Sequence, residues 1–267
     1  MNHLGTKILE TERLILRPFT LGDADAAFRN WEGDPEVSKY LVRPAYRDAA
    51  ESARAMEGYI VRYKEPDYYD WAVVLKSLGE PIGGILAHDQ RDDVRRAEVG
   101  YNIGSKFWGQ GYATEAFRAV IRFFFEEVGY NRIEAAHDAR NPASGRVMEK
   151  CGLRYEGTRR QAFKNNAGIA DMCFYGILAE DYFGCQSCGV PCDEAHRDLF
   201  GTEPDGRPSR YCVYCRENGA FTEPDITLEE TVELGVPHLA RKIGEDAARA
   251  ELRALLPTLE RWRKGCP

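Results

Sequence analysis

The 267-residue sequence predicts a mixed α/β (α+β) domain followed by a cysteine-rich ribbon and a helical tail. Three observations lead to this prediction. Strand-like and helix-like segments are interspersed up to residue 183, five of the eight cysteines fall within residues 185–215, and helical periodicity returns from Thr227. We therefore expect a first domain over residues 1–183, a ribbon over 184–226 and a tail over 227–267.

The first domain opens with RLILRPF at residues 13–19, whose alternating apolar and polar side chains are typical of a half-buried strand. Thr20 offers an N-cap for a helix over residues 23–31. A second helix is expected over residues 48–63. Two helices therefore separate the first strand from the rest of the sheet.

Three strands and a tight turn follow, and they predict an antiparallel meander. The strands are expected at residues 70–75, 82–88 and 98–103, with the turn at 77–81. Apolar residues on one face predict a helix over 112–128. The remaining expected elements are a strand at 131–136, a helix at 142–151 with Gly152 as its C-terminal cap, and strands at 155–163 and 169–178.

The formal net charge is -7, from 36 Lys and Arg residues against 43 Asp and Glu residues. This balance disfavours attraction to polyphosphate or anionic lipid, so we expect no nucleic-acid partner. No run approaches the roughly 20 apolar residues that a bilayer-spanning helix needs. The start, MNHLGTKILE, lacks the apolar segment of a signal peptide. We therefore expect a cytoplasmic protein without a membrane partner.

A glycine pair stands where the third meander strand leads into the next helix. Gly109, Gln110 and Gly111 allow a tight turn, after which the N–H groups through Tyr112 and Ala113 point out of the helix start. Unpaired amides and the positive end of a helix dipole suit a pyrophosphate. Two glycines at a helix start are also ordinary turn chemistry, so the pattern alone leaves both interpretations open.

Three separated segments make residues 8–182 resemble the GNAT acetyltransferases, and within them the branch that acetylates ribosomal-protein N termini. The segments are TERLILRPFTLGDADAAF, AEVGYNIGSKFWGQGYATEA and NPASGRVMEKCGLRYEG. The family's pyrophosphate motif begins with Gln or Arg, whereas this sequence has Lys106 there. Because the later positions of the motif donate backbone amides, this departure changes little.

The resemblance implies a GNAT fold and a site for acetyl-CoA. The extended pantetheine arm would pair with the edge of the strand at Val99, Tyr101 and Ile103, by the same logic as an added strand. The pyrophosphate would lie at Gly109–Ala113. Asn141 would reach a pantetheine amide, although an asparagine before Pro142 is also an ordinary N-cap.

Acetyl transfer to an amine needs a neutral amine, a stabilised oxyanion and a stabilised thiolate leaving group. Glu98, at the start of the strand beside the thioester, is the candidate base, directly or through water; the alternative is a surface carboxylate. The oxyanion would accept from a strand N–H near Tyr101. Many relatives use a tyrosine as acid where this sequence has Met148. Ser144 matches a hydroxyl of the N-terminal-acetylating branch and is the candidate acid, the alternative being a helix-surface serine.

The cysteine-rich segment contains two CxxC pairs separated by 23 residues. Cys185, Cys188, Cys212 and Cys215 would provide four thiolates for a structural Zn(II), and so short and polar a segment has little core without metal. Cys192 or His196 could replace one ligand, and a redox CxxC would need a strand–helix context that is absent. The segment resembles a zinc-ribbon family.

Residues 184–226 hold four basic against eight acidic residues, which opposes phosphate binding by the ribbon. The tail places apolar residues at helical spacing, so Leu259 and Trp262 either dock within the chain or form a partner-binding face. Two functions are compatible with the whole sequence. The first is an N-acetyltransferase acting on a protein N terminus or a small-molecule amine. The second is a catalytically weak acyl-CoA-binding regulator that works through its ribbon.

Overall fold

The protein is described here by a computed structural model covering residues 1–192, 196–203 and 208–262. The chain divides into two compact units, Met1–Ile177 and Leu178–Pro267. No helix among the described residues is long and apolar enough to cross a membrane.

The first unit is built on an eight-stranded sheet, in which strands that are close in sequence lie side by side. The spatial order is β1-β2-β3-β4-β5-β6-β8-β7. The strands are β1 Leu9–Glu10, β2 Leu14–Arg17, β3 Asp70–Leu75, β4 Glu80–Arg91, β5 Arg96–Ile103, β6 Arg132–Asp138, β7 Arg154–Asn165 and β8 Gly168–Leu178. The predicted meander is confirmed, since β3 to β5 pair antiparallel.

Helices cover both faces of this sheet. They are α1 Ala24–Ala27, α2 Pro35–Ser38, α3 Ala49–Arg62, α4 Tyr112–Phe123 and α5 Pro142–Lys150. The predicted helix over residues 23–31 is α1 continued by a π-helical turn, Phe28–Glu32. The helix predicted over 112–128 is likewise α4 continued by a π-helical turn, Phe124–Val128. The mixed α/β class is therefore confirmed.

Alternate residues of the central strands face the two helical layers. Ala72 and Val74 of β3 pack with Trp31 and Met56 in the layer of α1 to α3. Trp71 faces the other way and contacts the rings of Phe123 and Phe124. We call the first side the α3 face and the second the α4 face.

The sheet opens between its two central strands. β5 and β6 run parallel, and their pairing covers Arg96–Glu98 with Arg132–Glu134. Both strands continue beyond that point, to Ile103 and Asp138, without a further pair in this fully described stretch. The strands therefore diverge after Glu98, leaving one edge of β5 without a strand partner.

The second unit combines short strands with two longer helices. Its elements are α6 Ala179–Tyr182, β9 Phe200–Thr202, β10 Pro208–Cys212, β11 Arg216–Glu217, β12 Ala220–Phe221, α7 Leu228–Ile243 and α8 Glu245–Leu255. Thr227 caps α7 through a reciprocal hydrogen-bond pair with Glu230.

The tail docks within its own unit, as one of the two interpretations expected. Leu259 is buried with Val232, Val236 and Leu252. The Trp262 indole packs on this cluster and donates a 2.6 Å hydrogen bond to the carbonyl of Ser187. The predicted partner-binding face is therefore used inside the unit.

Candidate active site and metal centre

The turn before α4 has the geometry of an anion cradle. Gly109 and Gly111 have φ values of +75° and +84°, a region that favours glycine. The N–H groups of residues 109–114 have no hydrogen-bond partner among the described residues. A side chain on Gly109 would meet nothing within 4 Å, so the turn is open on that side. These exposed donors at a helix start fit a pyrophosphate.

Arg13, the residue before β2, contacts this turn, and the sequence did not predict that contact. Its Nη1 donates to the carbonyl of Gln110 at 3.0 Å, and its guanidinium lies 4.6 Å from the centre of the Tyr112 ring. Glu115 holds Arg13 through an ion pair of 2.6 Å. The charge of Arg13 is thus fixed beside the turn, while Lys106 lies over the ring of Phe107.

The unpaired edge of β5 carries the three strand residues that the resemblance assigned to the pantetheine. Gly104 donates its N–H to Ile82 beside β4, and Arg95 accepts from Asn131 and Arg132 beside β6. Because backbone groups alternate along a strand, those of Val99, Tyr101 and Ile103 point toward the opening. The Ile103 carbonyl already accepts a 2.6 Å bond from the Trp108 indole. Its N–H remains directed at the opening.

Glu98 lies at the point where β5 and β6 separate, on the α3 face. It is paired across the strands with His88 on one side and Glu134 on the other. The Glu98 side chain is 22% exposed, and burial raises its carboxyl pKa, which the nearby His88 partly offsets. The 4.0 Å between His88 Nε2 and Glu98 Oε1 makes His88 a candidate that sequence reasoning missed.

Ser144 lies on the α4 face, opposite to Glu98. The Tyr101 hydroxyl donates to the Ser144 carbonyl at 2.8 Å and lies 3.0 Å from Ser144 Oγ. A phenol has one proton, so Ser144 Oγ donates to Tyr101 whenever Tyr101 donates to the carbonyl. The candidate base and candidate acid therefore flank the opening from opposite sides. The Tyr101 contact was not predicted.

Asn141 precedes α5 and makes no capping hydrogen bond with its side chain. Asn141 therefore occupies the N-cap position without using its side chain as a cap, and the side-chain amide is available to a ligand. Asp138 fixes the loop before it, accepting from the Arg140 guanidinium and from Asn165. The hydrogen bond from Arg140 lowers the pKa of Asp138 to about 2. Met148, where many relatives have tyrosine, is buried.

A pocket of about 680 Å³ opens on the α3 face. Four aromatic residues line it, Phe19, Trp31, Tyr59 and Tyr68, together with His88. Two buried carboxyls also line it, Glu32 and Asp70. Burial raises the pKa of both, that of Asp70 to about 7. Arg43 and Arg62 are also lining residues, so the pocket presents groups of both signs.

The segment of residues 31–46 forms part of the pocket and is held by the β7–β8 hairpin. Trp31, Leu41 and Arg43 of this segment line the pocket. Asn166, from the tip of the β7–β8 hairpin, donates to the carbonyls of Ser38, Leu41 and Arg43 at 2.9 to 3.1 Å. The hairpin tip therefore holds this segment in place and is not itself a lining element.

The second unit brings the four predicted zinc ligands together. The Sγ atoms of Cys185, Cys188, Cys212 and Cys215 all lie within 4.8 Å of one another. Cys188 and Cys212 are 3.7 Å apart, close to the roughly 3.8 Å that a tetrahedral shell with Zn–S bonds of about 2.3 Å requires. Hydrogen bonds from the neighbouring thiols lower the pKa of Cys185. The donor set thus fits a tetrahedral thiolate-bound ion.

Each CxxC pair lies in a tight backbone turn. Gly189 donates its N–H to Cys185, and Cys185 donates to Val190. In the second pair Cys215 donates to Cys212 at 2.9 Å. Neither Cys192 nor His196 belongs to the group found among the described residues. Backbone hydrogen bonds within these turns therefore position the four thiols close to one another.

Comparison with known proteins agrees with this geometry. A family model described as an acetyltransferase (GNAT) domain matches residues 13–154, and one described as a zinc ribbon domain matches 184–263. The chain belongs to the GNAT acetyltransferase family. Members of this family use acetyl-CoA, so the protein is an acetyltransferase enzyme.

Individual GNAT proteins resemble the first part of the chain. The uncharacterised N-acetyltransferase p20 of Bacillus licheniformis is 32% identical over 178 residues, which are 66% of this chain and 98% of p20. A GNAT-family crystal structure from Bacillus anthracis has a TM-score of 0.57 and 27% identity, covering 65% of this chain and 99% of that one. The ribosomal L7/L12 α-N-protein acetyltransferase RimL, in complex with coenzyme A, shares the fold with a TM-score of 0.59 at 19% identity, covering 64% and 98%.

Proposed function

We propose that this GNAT enzyme transfers the acetyl group of acetyl-CoA to a primary amine, on a protein N terminus or a small molecule. One observation carries the proposal. Strand β5 contributes Asn102 to the pocket on the α3 face, has an edge without a strand partner beyond Glu98, and ends shortly before the open amides that precede α4. The acceptor and the acetyl donor would therefore meet at the sheet opening from different directions.

The donor would be held mainly by the backbone. Residues 109–113 would receive the pyrophosphate, and the outward groups of Val99, Tyr101 and Ile103 would pair with the pantetheine arm. Asn141, with its amide free of a cap bond, would donate or accept at the same arm. When bound, acetyl-CoA supplies an activated acetyl thioester. The N–H near Tyr101 would stabilise the oxyanion.

Glu98 and Ser144 would move the protons. Glu98 would accept a proton from the acceptor ammonium, directly or through an intermediate group, because only the neutral amine attacks. Ser144 would donate toward the leaving sulfur from the other face. Their positions on opposite sides of the opening support these separate roles.

The four-cysteine cluster would hold one structural Zn(II). A shell of four thiolates leaves no open coordination position, so its role is to hold the CxxC turns and the docked tail together. The transferase residues named above all belong to the first unit. Catalysis would therefore not require the metal chemically.

The direct test is an acceptor screen with the full chain and acetyl-CoA. The panel would contain a peptide with a free N terminus, the same peptide with that N terminus blocked and one lysine, a small alkylamine and an amino-acid amide. Chromatographic detection of CoA avoids reagents that react with the protein's own eight cysteines. An acetylated product confirmed by mass spectrometry would support the proposal. Tight acetyl-CoA binding with no turnover of any amine would favour the regulatory alternative.

A further inference from the structure

Glu98 lies beside a histidine at the mouth of the sheet opening. His88 is directly opposite Glu98 in the β4–β5 pairing, so both side chains are on the α3 face. The His88 side chain is 46% exposed, lines the acceptor pocket and has no hydrogen-bond partner among the described residues. His3 and His137 in the same unit, by contrast, hydrogen-bond to protein atoms.

We propose that His88 takes the first proton from the acceptor ammonium and that Glu98 stabilises the resulting imidazolium. The inference rests on the proposed function above and changes one step of it: His88 receives the proton in place of Glu98, and Glu98 acts on the ring. It also names the acceptor class. A weakly basic primary amine, such as an α-amine, fits this proton acceptor better than an alkyl ε-amine.

The geometry assigns separate tasks to the two ring nitrogens. Nε2 faces Glu98, with 4.0 Å between Nε2 and Glu98 Oε1, and closing this distance to a hydrogen bond is part of the proposal. Nδ1 is then directed away from Glu98, and it is the nitrogen left to accept a proton from a ligand. A carboxylate behind an imidazole fixes the tautomer and favours the protonated ring.

The His88 ring lies beside Gly100 of β5. A Cβ on Gly100 would lie 3.4 Å from His88 Nε2, which is ordinary van der Waals contact. Gly100 stands between Val99 and Tyr101, whose backbone groups face the opening. His88 is therefore close to the backbone that would hold the thioester.

Three further charged groups surround His88 and Glu98. The groups facing this pair are Asp89 on β4, Glu134 on β6 and Arg96 on β5. Arg96 pairs with both Asp89 and Glu134, at 2.5 Å each, so it largely compensates these two carboxylates. Glu98 is left as the carboxylate that the His88 charge can balance.

Base strength then restricts the acceptor. Imidazole is a weaker base than either amine, and its base strength is much closer to that of an α-amine, with a reference pKa of about 7.7–8.0, than to that of a lysine-like amine of about 10.4. His88 therefore suits an α-amine.

The protons balance over the reaction. The ammonium loses two protons as the C–N bond forms and the C–S bond breaks. The first goes to His88 before attack and leaves through the exposed side of the ring to solvent. The second is released from nitrogen as the amide forms and balances the proton gained by the CoA sulfur.

The experiment compares wild type, His88→Gln and His3→Gln with an α-amine peptide over pH 6 to 9. We expect His88→Gln to lower kcat/KM by on the order of 10²-fold and to change the limb of the pH profile that depends on imidazole ionisation. His3→Gln is the matched control, because His3 contacts Asp92 and Tyr69 instead. Calorimetric acetyl-CoA affinity verifies that each variant is folded.

A second variant distinguishes proton transfer by His88 from a purely structural role. Added imidazole should restore part of the activity of His88→Ala, which a purely structural role would not permit. Wild-type kcat/KM and pH profile in His88→Gln would overturn the inference while leaving the proposed function standing. An inactive wild type on every amine would instead overturn both. A higher kcat/KM for the ε-amine than for the α-amine would refute the acceptor class.

Discussion

The cradle before α4 and the four-cysteine cluster are two proposed ligand sites built by opposite means. The cradle consists of main-chain N–H groups, and what the sequence must provide there is the absence of side chains at Gly109 and Gly111. The cysteine cluster consists of side chains, and there the backbone turns only aim the four thiols. Substitution should therefore damage the first site by adding atoms and the second by removing them.

The largest effect is expected from removing one thiolate. Cys212→Ser should greatly reduce a metal content that we expect to be about one zinc per wild-type chain, because structural zinc contributes roughly 10–16 kcal/mol in small zinc-folded peptides. Metal analysis of the purified protein measures the loss of zinc, and circular dichroism of the same protein measures the accompanying loss of structure. Acetyl-CoA binding should persist, because its proposed residues all lie within Met1–Ile177.

Cys192→Ser is the matched control for that variant. Cys192 lies in the same cysteine-rich segment but outside the group of four. The Cys192→Ser variant should therefore retain its zinc. Loss of zinc from Cys192→Ser would show that the ligand set is wrong, and loss of acetyl-CoA affinity on mild chelation of wild type would show that the ribbon completes the active site.

The next effect concerns a side chain in the first unit. Glu98→Gln should lower kcat by about 10²-fold, within the range of general-base catalysis, and more for an ε-amine than for an α-amine. Since burial raises the pKa of Glu98, wild-type turnover should fall as pH decreases through that raised value, where the carboxylate becomes neutral. Steady-state rates against pH measure this. A Gln variant with unchanged kcat for both amines would mean that the protein provides proximity alone.

The two sites also differ in how far sequence could predict them. The glycine pair and the CxxC spacing are local patterns, and both lead to the observed arrangement. The pairing of Glu98 with His88 depends instead on the register of β4 against β5, which shifts between His88 and Arg91. A one-residue change in register would place His88 on the other face.

Longer separations made other features inaccessible to sequence reasoning. Tyr101 and Ser144 are 43 residues apart, and their contact depends on how α5 packs on the sheet. Glu32 and Asp70 enter one pocket from a π-helical turn and from β3, and nothing in either local sequence indicates this. Chemistry that needs several elements together is thus visible only after folding.

A smaller effect should follow from filling the cradle. Gly111→Glu should weaken acetyl-CoA affinity by at least about tenfold, because a side chain at φ +84° is strained and its charge opposes a pyrophosphate. Gly79→Glu is the control, since Gly79 has a φ of +71° in the turn between β3 and β4 and an open surrounding. Calorimetry should show unchanged affinity for that control. Equal losses in both variants would indicate a general strain effect and remove support for the cradle.

The smallest effect is expected from substituting Ser144. It measures how much a side chain contributes to kcat at a site where backbone groups would hold most of the acetyl-CoA. Ser144→Ala should lower kcat by less than about tenfold and leave acetyl-CoA affinity unchanged, because a thiol with a pKa near about 8.5 is already a fair leaving group. Tyr101→Phe removes the hydroxyl that contacts Ser144. If the two hydroxyls work as one unit, the double variant should be no slower than the slower single variant. Additive losses in the double variant would mean that Ser144 and Tyr101 act independently, and an unchanged rate in all three would remove Ser144 as the acid.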